Sequence, residues 1–279
     1  MLSDIHHVKQ ISIRALQQTY LLHERLDVDG EQEIEKNQFG DTALVMDVEA
    51  EKTIIDTLRE ADLPVRIQSE EHGLVIIGDN PQYFGLLDGL DGSKVYQLKR
   101  GIGRYGTMFG IFDNCDPLYN DYLFCGVMEH TTNRLFYATK GEGAFVQSIN
   151  KTKKIDVSTA TTLDKITPIY IDLNEGWEIN HALRARLEGH DITYLGSSAV
   201  YYVDLASGNA DVVIECTRKG NLELGVAYGL IKEAGGYMVT LENEDIGNFK
   251  FNSFGQQSHV PVISVCSREL GEVVLDKLE

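Results

Sequence analysis

Asp88 and Asp91 stand three residues apart in the run Gly85-Leu86-Leu87-Asp88-Gly89-Leu90-Asp91-Gly92-Ser93. They follow directly on an apolar segment that reads as a strand. Carboxylates gathered on a tight turn suit hard divalent cations, which take oxygen ligands. Gly92-Ser93 then reads as the turn into a helix, where free backbone N–H groups accommodate an anion such as phosphate. One short segment thus offers both halves of a metal-dependent phosphate site. Three further acidic clusters accompany it: Asp47 to Glu51, Ser69-Glu70-Glu71 and Glu215 to Glu223. Taken singly, each has an ordinary structural explanation. Asp47 suits a helix N-terminus, Asp88 and Asp91 suit a turn, Glu70 a solvated side chain, and Glu223 an exposed helix start.

The elements that must position these groups can be read from periodicity. Residues 3–26 predict a helix, with Ser3 or Asp4 as cap and Ile5, Val8, Ile11, Leu16 and Tyr20 as its apolar stripe. A second helix is predicted over 47–61, and Pro64 marks the passage to a strand near Ile67. Apolar runs at 74–77, 83–87, 107–112, 123–128 and 134–138 predict strands. Helices followed by strands suggest an α+β half with an antiparallel sheet, residues 1–150, carrying most of the acidic groups. The polar stretch 147–162 reads as a junction. Beyond it, strands at 166–171, 192–195, 210–214, 237–241 and 262–265 alternate with helices at 180–187, 197–206, 222–234 and from 268 onward. That alternation predicts an α/β half, residues 151–279, which completes the site.

The chain has 279 residues, 43% of them apolar, which is enough for a sizeable core. Its net charge of −18 repels the nucleic-acid backbone and anionic lipid, and this argues against a nucleic-acid binder. No apolar run is long enough to span a bilayer, and the first residues lack the layout of a signal peptide. Cys115, Cys125, Cys216 and Cys266 are scattered without a C-x-x-C pair, so reduced thiols in a cytoplasmic protein are expected. The run 101–106 fits G-x-G-x-x-G but leads into a β-rich segment rather than a helix, which argues against dinucleotide binding.

Taken in order, the acidic clusters resemble the inositol monophosphatase superfamily of metal-dependent phosphatases, which includes fructose-1,6-bisphosphatases and nucleotide 3′-phosphatases. Gly40-Asp41-Thr42 with Asp47 and Ala50-Glu51 is similar to G-D-x-T…D-x-x-A-E, and Ser69-Glu70-Glu71 to G/S-E-E. Asp88-Gly89-Leu90-Asp91-Gly92-Ser93 resembles D-P-[IL]-D-G-[TS], and Gly141-Glu142-Gly143-Ala144-Phe145 resembles G-x-G-A-[FW]. Gly196-Ser197-Ser198-Ala199 with Gly208 and Asp211 is similar to G-S/T-x-A…G-x-x-D. Leu222-Glu223, ahead of Glu233-Ala234-Gly235-Gly236, falls where the family has W-D…E-A-G-G. Two departures stand out. Gly89 replaces a proline, which loosens the turn. Glu223 replaces an aspartate one methylene shorter, after a loop one residue longer than in inositol monophosphatases.

The resemblance implies a layered αβαβα sandwich, α+β half first and α/β half second. It implies a Mg²⁺-dependent phosphoric monoester hydrolase acting on a small polyol or sugar phosphate. An inositol monophosphatase-like activity comes first, with fructose-1,6-bisphosphatase or 3′-phosphoadenosine 5′-phosphate phosphatase as alternatives. Glu70, Asp88, Asp91 and Glu223, with the Leu90 carbonyl, would hold two or three Mg²⁺ ions, with Mn²⁺ as an alternative. Glu70 and a Ser93–Asp47 pair would take up the proton of the attacking water. Gly92 and Ser93 would bind phosphate, while Gly196, Ser197, Ser198 and Glu215 would face the substrate; for the serines, plain N-capping is an equal reading. Arg218 and Lys219 either serve a second phosphate or are solvated loop charges, the second slightly preferred. Glu223 also motivates a different reading, a non-catalytic member that binds metal or a phosphorylated ligand. The family pattern further implies a homodimer and lithium sensitivity, with no nucleic-acid or membrane partner.

Overall fold

The computed structural model describes residues 2–36, 42–149, 151–165, 168–172, 178–218 and 220–278. Helix α1 (Leu2–Leu26) buries Val8, Ile11, Ala15, Leu16 and Leu22, a stripe at helical spacing. A short hairpin, β1 (Glu33–Lys36) and β2 (Thr42–Leu44), leads into α2 (Val45–Glu60). Strands β3 (Val65–Ser69), β4 (Gly73–Ile76) and β5 (Tyr83–Asp91) precede the one-turn-plus helix α3 (Ser93–Lys99). Strands β6 (Gly106–Phe112), β7 (Tyr122–Glu129), β8 (Arg134–Thr139), β9 (Gly143–Ser148) and β10 (Lys151–Ile155) follow. The remainder is β11 (Ile169–Ile171), α4 (Glu178–Arg186), β12 (Ile192–Thr193), α5 (Ser198–Ala206), β13 (Val212–Cys216), α6 (Leu222–Glu233), β14 (Tyr237–Thr240), β15 (Pro261–Val265) and α7 (Arg268–Leu278).

Eight strands form the first sheet in the order β10-β9-β8-β7-β6-β5-β3-β4, antiparallel except where β3 runs parallel to β5. The second sheet has the order β12-β11-β13-β15-β14. Only β12, β11 and β13 are parallel; β15 runs antiparallel to both β13 and β14, so this half is mixed rather than a uniform βα alternation. Helices α1 and α2 cover one face of the first sheet, α5 and α6 fill the space between the sheets, and α7 lies on the far side of the second. The result is the expected αβαβα layering. The boundary expected at residue 150 falls between β9 and β10, which pair antiparallel from Lys151–Ser148 to Ile155–Ala144. One apolar cluster runs from Phe84 and Leu86 through α5 and α6 to Val274, so the two sheets share a core.

The polar stretch 147–162 conceals β10 because its sequence, KTKKI, is an exposed edge. Lysines on an edge strand oppose pairing with another chain. Helix α6 is seated closely on the first sheet by two glycines one turn apart. A Cβ on Gly225 would lie 2.2 Å from Leu86 Cδ1, and one on Gly229 would lie 2.5 Å from Cys125 Sγ.

Candidate active site

Strand β5 extends through Asp91, four residues beyond the expected end at Leu87, so Asp88, Gly89 and Leu90 belong to the strand rather than to a turn. Its register against β6 shifts between Asp88 and Asp91. The shift accommodates an irregular stretch at the strand end, a common device near functional sites. The sharp change of direction comes at Gly92, with φ at 90°, in the left-handed region that glycine enters without cost. Gly89 does not soften a turn, as its lack of a proline ring suggested. A Cβ there would lie 2.1 Å from the Asp47 carbonyl oxygen and 2.9 Å from Glu51 Cγ. Its missing side chain is what lets α2 lie directly on the strand.

That close approach brings two carboxylates of α2, Asp47 and Glu51, one helical turn apart against the site. Asp47 Oδ2 accepts the Leu44 N–H at 2.6 Å, and Oδ1 accepts the Ser93 hydroxyl at 3.1 Å. The expected Ser93–Asp47 pair is therefore formed, and Ser93 Oγ also lies 2.9 Å from the Leu90 carbonyl. Burial, opposed by the Leu44 N–H, pushes the Asp47 carboxyl up to about 7. Glu51 is fully buried and accepts the backbone N–H groups of Glu70, Glu71 and His72 at 2.9, 3.0 and 3.1 Å. It also accepts the Ser69 hydroxyl and pairs with His72 Nδ1 at 2.8 Å. Glu51 thus holds the whole segment that carries Glu70. No role for it was drawn from the sequence, although its place four residues after Asp47, on the same helix face, was the available signal.

Asp88, Asp91 and Glu223 each offer an oxygen, and these atoms all lie within 4.8 Å of one another. Asp88 and Asp91 come from β5 and Glu223 from the first turn of α6, so the cluster joins the first sheet to the layer between the sheets. Glu70 lines the same cleft of about 750 Å³, with Leu90, Gly92, Ser93, Gly196 and Arg218. Burial is the chief reason that Asp88 and Glu70 are held well above the usual carboxylate range. The next cause is the neighbouring charge, Glu70 for Asp88 and Glu223 for Glu70. Burial and then Glu223 push Asp91 up to about 6, against the Ser197 hydroxyl and the Ala199 N–H at 2.7 Å. Crowded, desolvated carboxylates of this kind fit a hard divalent cation, whose charge relieves the repulsion and whose ligands are oxygens.

The second half of the chain supplies a further layer. Ser197 is 2% exposed; it accepts the Val200 N–H as the cap of α5 and donates to the Asp91 carboxylate. Ser198 is 4% exposed and donates to Glu215 Oε1 at 2.6 Å. Of the four residues expected at the substrate face, Gly196 lines the cleft, while the hydroxyls of Ser197 and Ser198 point at carboxylates behind it. Glu215 is likewise buried, and also accepts the Tyr202 hydroxyl at 2.8 Å; burial, opposed by Arg218, pushes it up to about 8. Arg218 is not a solvated loop charge. Its Nη2 lies 2.8 Å from Glu223, 3.0 Å from Glu215 and 3.3 Å from Ser198 Oγ, and its Nη1 lies 3.8 Å from Asp172. Gly40, Asp41 and Lys219 lie outside the described residues.

Residues 4–270 match the model of the inositol monophosphatase family. The chain belongs to the inositol monophosphatase family. The fructose-1,6-bisphosphatase/inositol-1-monophosphatase of Methanothermobacter thermautotrophicus is 25% identical, over 99% of this chain and 98% of that protein. The bifunctional NADP phosphatase/NAD kinase of Methanocaldococcus jannaschii is 27% identical, over 74% of this chain and 39% of that protein. Among solved structures, the extragenic suppressor protein suhB of Bartonella henselae superposes with a TM-score of 0.79 at 18% identity, covering 98% of each chain. With this family goes the activity class: the protein is a phosphatase, a metal-dependent hydrolase. Among the described residues no helix is long and apolar enough to cross a membrane.

Proposed function

We propose that this chain hydrolyses the phosphate monoester of a small polyol or sugar with the help of two or three Mg²⁺ ions. The observation that carries the reading is the meeting of Asp88, Asp91 and Glu223 in one oxygen cluster, at a cleft that Glu70, Gly92 and Ser93 also line. Bound divalent cations supply an activated water and offset the negative charge that develops on the leaving oxygen. The chain's own residues do the rest. Glu70, Asp88, Asp91, Glu223 and the Leu90 carbonyl would hold the ions, with Ser197 and the Ala199 N–H orienting Asp91. Asp47, raised to about 7 and in contact with Ser93, can hold a proton passed along the hydroxyl near neutral pH. Backbone N–H groups of Gly92 and Ser93 would orient the phosphoryl oxygens. Glu215 takes the part of a support for Ser198 and Arg218 in place of a direct substrate contact.

The test is release of inorganic phosphate by the full chain, with and without Mg²⁺. The substrates are inositol 1-phosphate, fructose 1,6-bisphosphate, 3′-phosphoadenosine 5′-phosphate and NADP, the last prompted by the NADP-phosphatase relative. Turnover of one of these that needs the cation and is lost in Glu70→Gln and Asp91→Asn supports the reading. Folded, cation-loaded protein that turns over none of them refutes it. Inhibition by Li⁺ and a dimer in solution belong to the same proposal, read from the same assay and from light scattering.

A further inference from the structure

Arg218 is an unusual neighbour for a cation site. Its guanidinium lines the cleft and reaches Glu223 Oε1 at 2.8 Å, the same carboxylate that completes the cluster with Asp88 and Asp91. It is also fixed from behind, by Glu215 at 3.0 Å and Ser198 Oγ at 3.3 Å, so it is held at this place by more than Glu223 alone. Charge-assisted pairs of this kind with a buried acceptor are the strong ones. The loop that carries Arg218 and the longer arm of Glu223 are two places where the chain departs from the family pattern, and they meet in this one contact.

We propose that Arg218 competes with the divalent cation for Glu223, and so sets the affinity of the metal position that Glu223 completes. The proposal rests on the metal-site reading above. As a cation draws Glu223 towards Asp88 and Asp91, the Arg218–Glu223 pair loosens, and the guanidinium is left on Glu215 and Asp172. Arg218 is a positioning residue in this scheme: it acts through Glu223 and touches no reacting atom.

The experiment is isothermal calorimetry of MgCl₂ into the full chain, for the wild type, Arg218→Met and Lys94→Met. Lys94 lines the same cleft and, among the described residues, makes no ion pair with these carboxylates, so its removal changes net charge equally. Arg218→Met is expected to bind Mg²⁺ about tenfold more tightly, equivalent to ~1.4 kcal/mol. Lys94→Met is expected to change by less than about twofold, well under that energy. Equal gains in both variants, or no gain in Arg218→Met, overturn the proposal. Should Arg218→Met not fold, the wild type still decides. The Arg218 Nε–Hε NMR signal, assigned with Arg218→Lys, is expected to shift with the calorimetric midpoint, and a signal that stays in place overturns the proposal. No Mg²⁺ or Mn²⁺ binding by any variant would instead sink the metal-site reading itself.

Discussion

Placing a side chain on Gly89 separates the family pattern from the packing of this particular chain. The pattern has proline at this position, so on that pattern alone Gly89→Pro is a repair that stiffens the 88–91 segment. The packing says the reverse. Any Cβ at residue 89 meets the Asp47 carbonyl oxygen at 2.1 Å and Glu51 Cγ at 2.9 Å, and the nearer atom is helix backbone, which cannot rotate aside. Overpacking a close-packed interior costs ~1–3 kcal/mol, and a backbone clash lies at the upper end. For a chain of this size ~3 kcal/mol lowers Tm by about 6–12 °C. The effect reaches the chemistry too, because relief requires α2 to move away from β5, and α2 carries both Asp47 and Glu51. Gly89→Ala and Gly89→Pro should therefore lose stability in thermal and urea unfolding, and should weaken Mg²⁺ binding measured by calorimetry. A Gly89→Pro variant as stable as the wild type, binding Mg²⁺ as tightly, would refute the seating of α2 described above.

Two other outcomes follow from the same geometry. Glu51→Gln replaces an all-acceptor group facing three backbone N–H donors, a hydroxyl and His72 by an amide that must turn some N–H towards N–H. A loss of ~3 kcal/mol in urea unfolding is expected, together with weaker Mg²⁺ binding because Glu70 sits on the clamped segment; unchanged stability would remove Glu51 from its assigned role. Asp91 and Asp47 are raised to about 6 and about 7, so between about pH 4 and pH 7 the folded chain holds protons that the unfolded chain has released. In EDTA their contribution to stability therefore falls as pH rises through that window, whereas saturating Mg²⁺, which on the proposed reading binds ionised Asp91 but not Asp47, reverses the trend for Asp91. Tm against pH in the two buffers, with Asp91→Asn for comparison, is the measurement; an EDTA slope unaffected by Asp91→Asn would contradict the assignment.

The carboxylates were legible in the sequence because acidic pairs at strand and helix ends stand out against apolar runs, and their order along the chain pointed to one family. Their neighbours were not. Glu51 is one more helical glutamate until the fold places the 69–72 segment across it. Ser197 and Ser198 look like cap and substrate contact, and only the meeting of the α5 start with Asp91 at the end of β5, and of α5 with β13, turns their hydroxyls towards Asp91 and Glu215. Arg218 reads as a loop charge because nothing local shows that Glu215, Glu223 and Asp172 converge on it. Among the elements, amphipathic α1 was plain, while β10 was hidden by its lysines and the short β1–β2 hairpin by its lack of an apolar stripe. The antiparallel turn of β15 depends on long-range pairing that no local pattern encodes.

The two glycines under α6 have a consequence for which ion the site accepts. Glu223 is carried at the start of that helix, and the depth at which α6 rests on the sheet fixes how far its carboxylate stands from Asp88 and Asp91. Mg²⁺ demands oxygen ligands at ~2.0–2.1 Å in near-ideal octahedral order, while Ca²⁺ tolerates ~2.3–2.6 Å and looser geometry. With Glu223 as a ligand, lifting the helix by a fraction of an ångström would change no ligand, yet it would favour the larger ion over the smaller. On the proposed ligand set, ion selectivity would thereby be written partly at Gly225 and Gly229, two positions that face a leucine and a cysteine and lie outside that set.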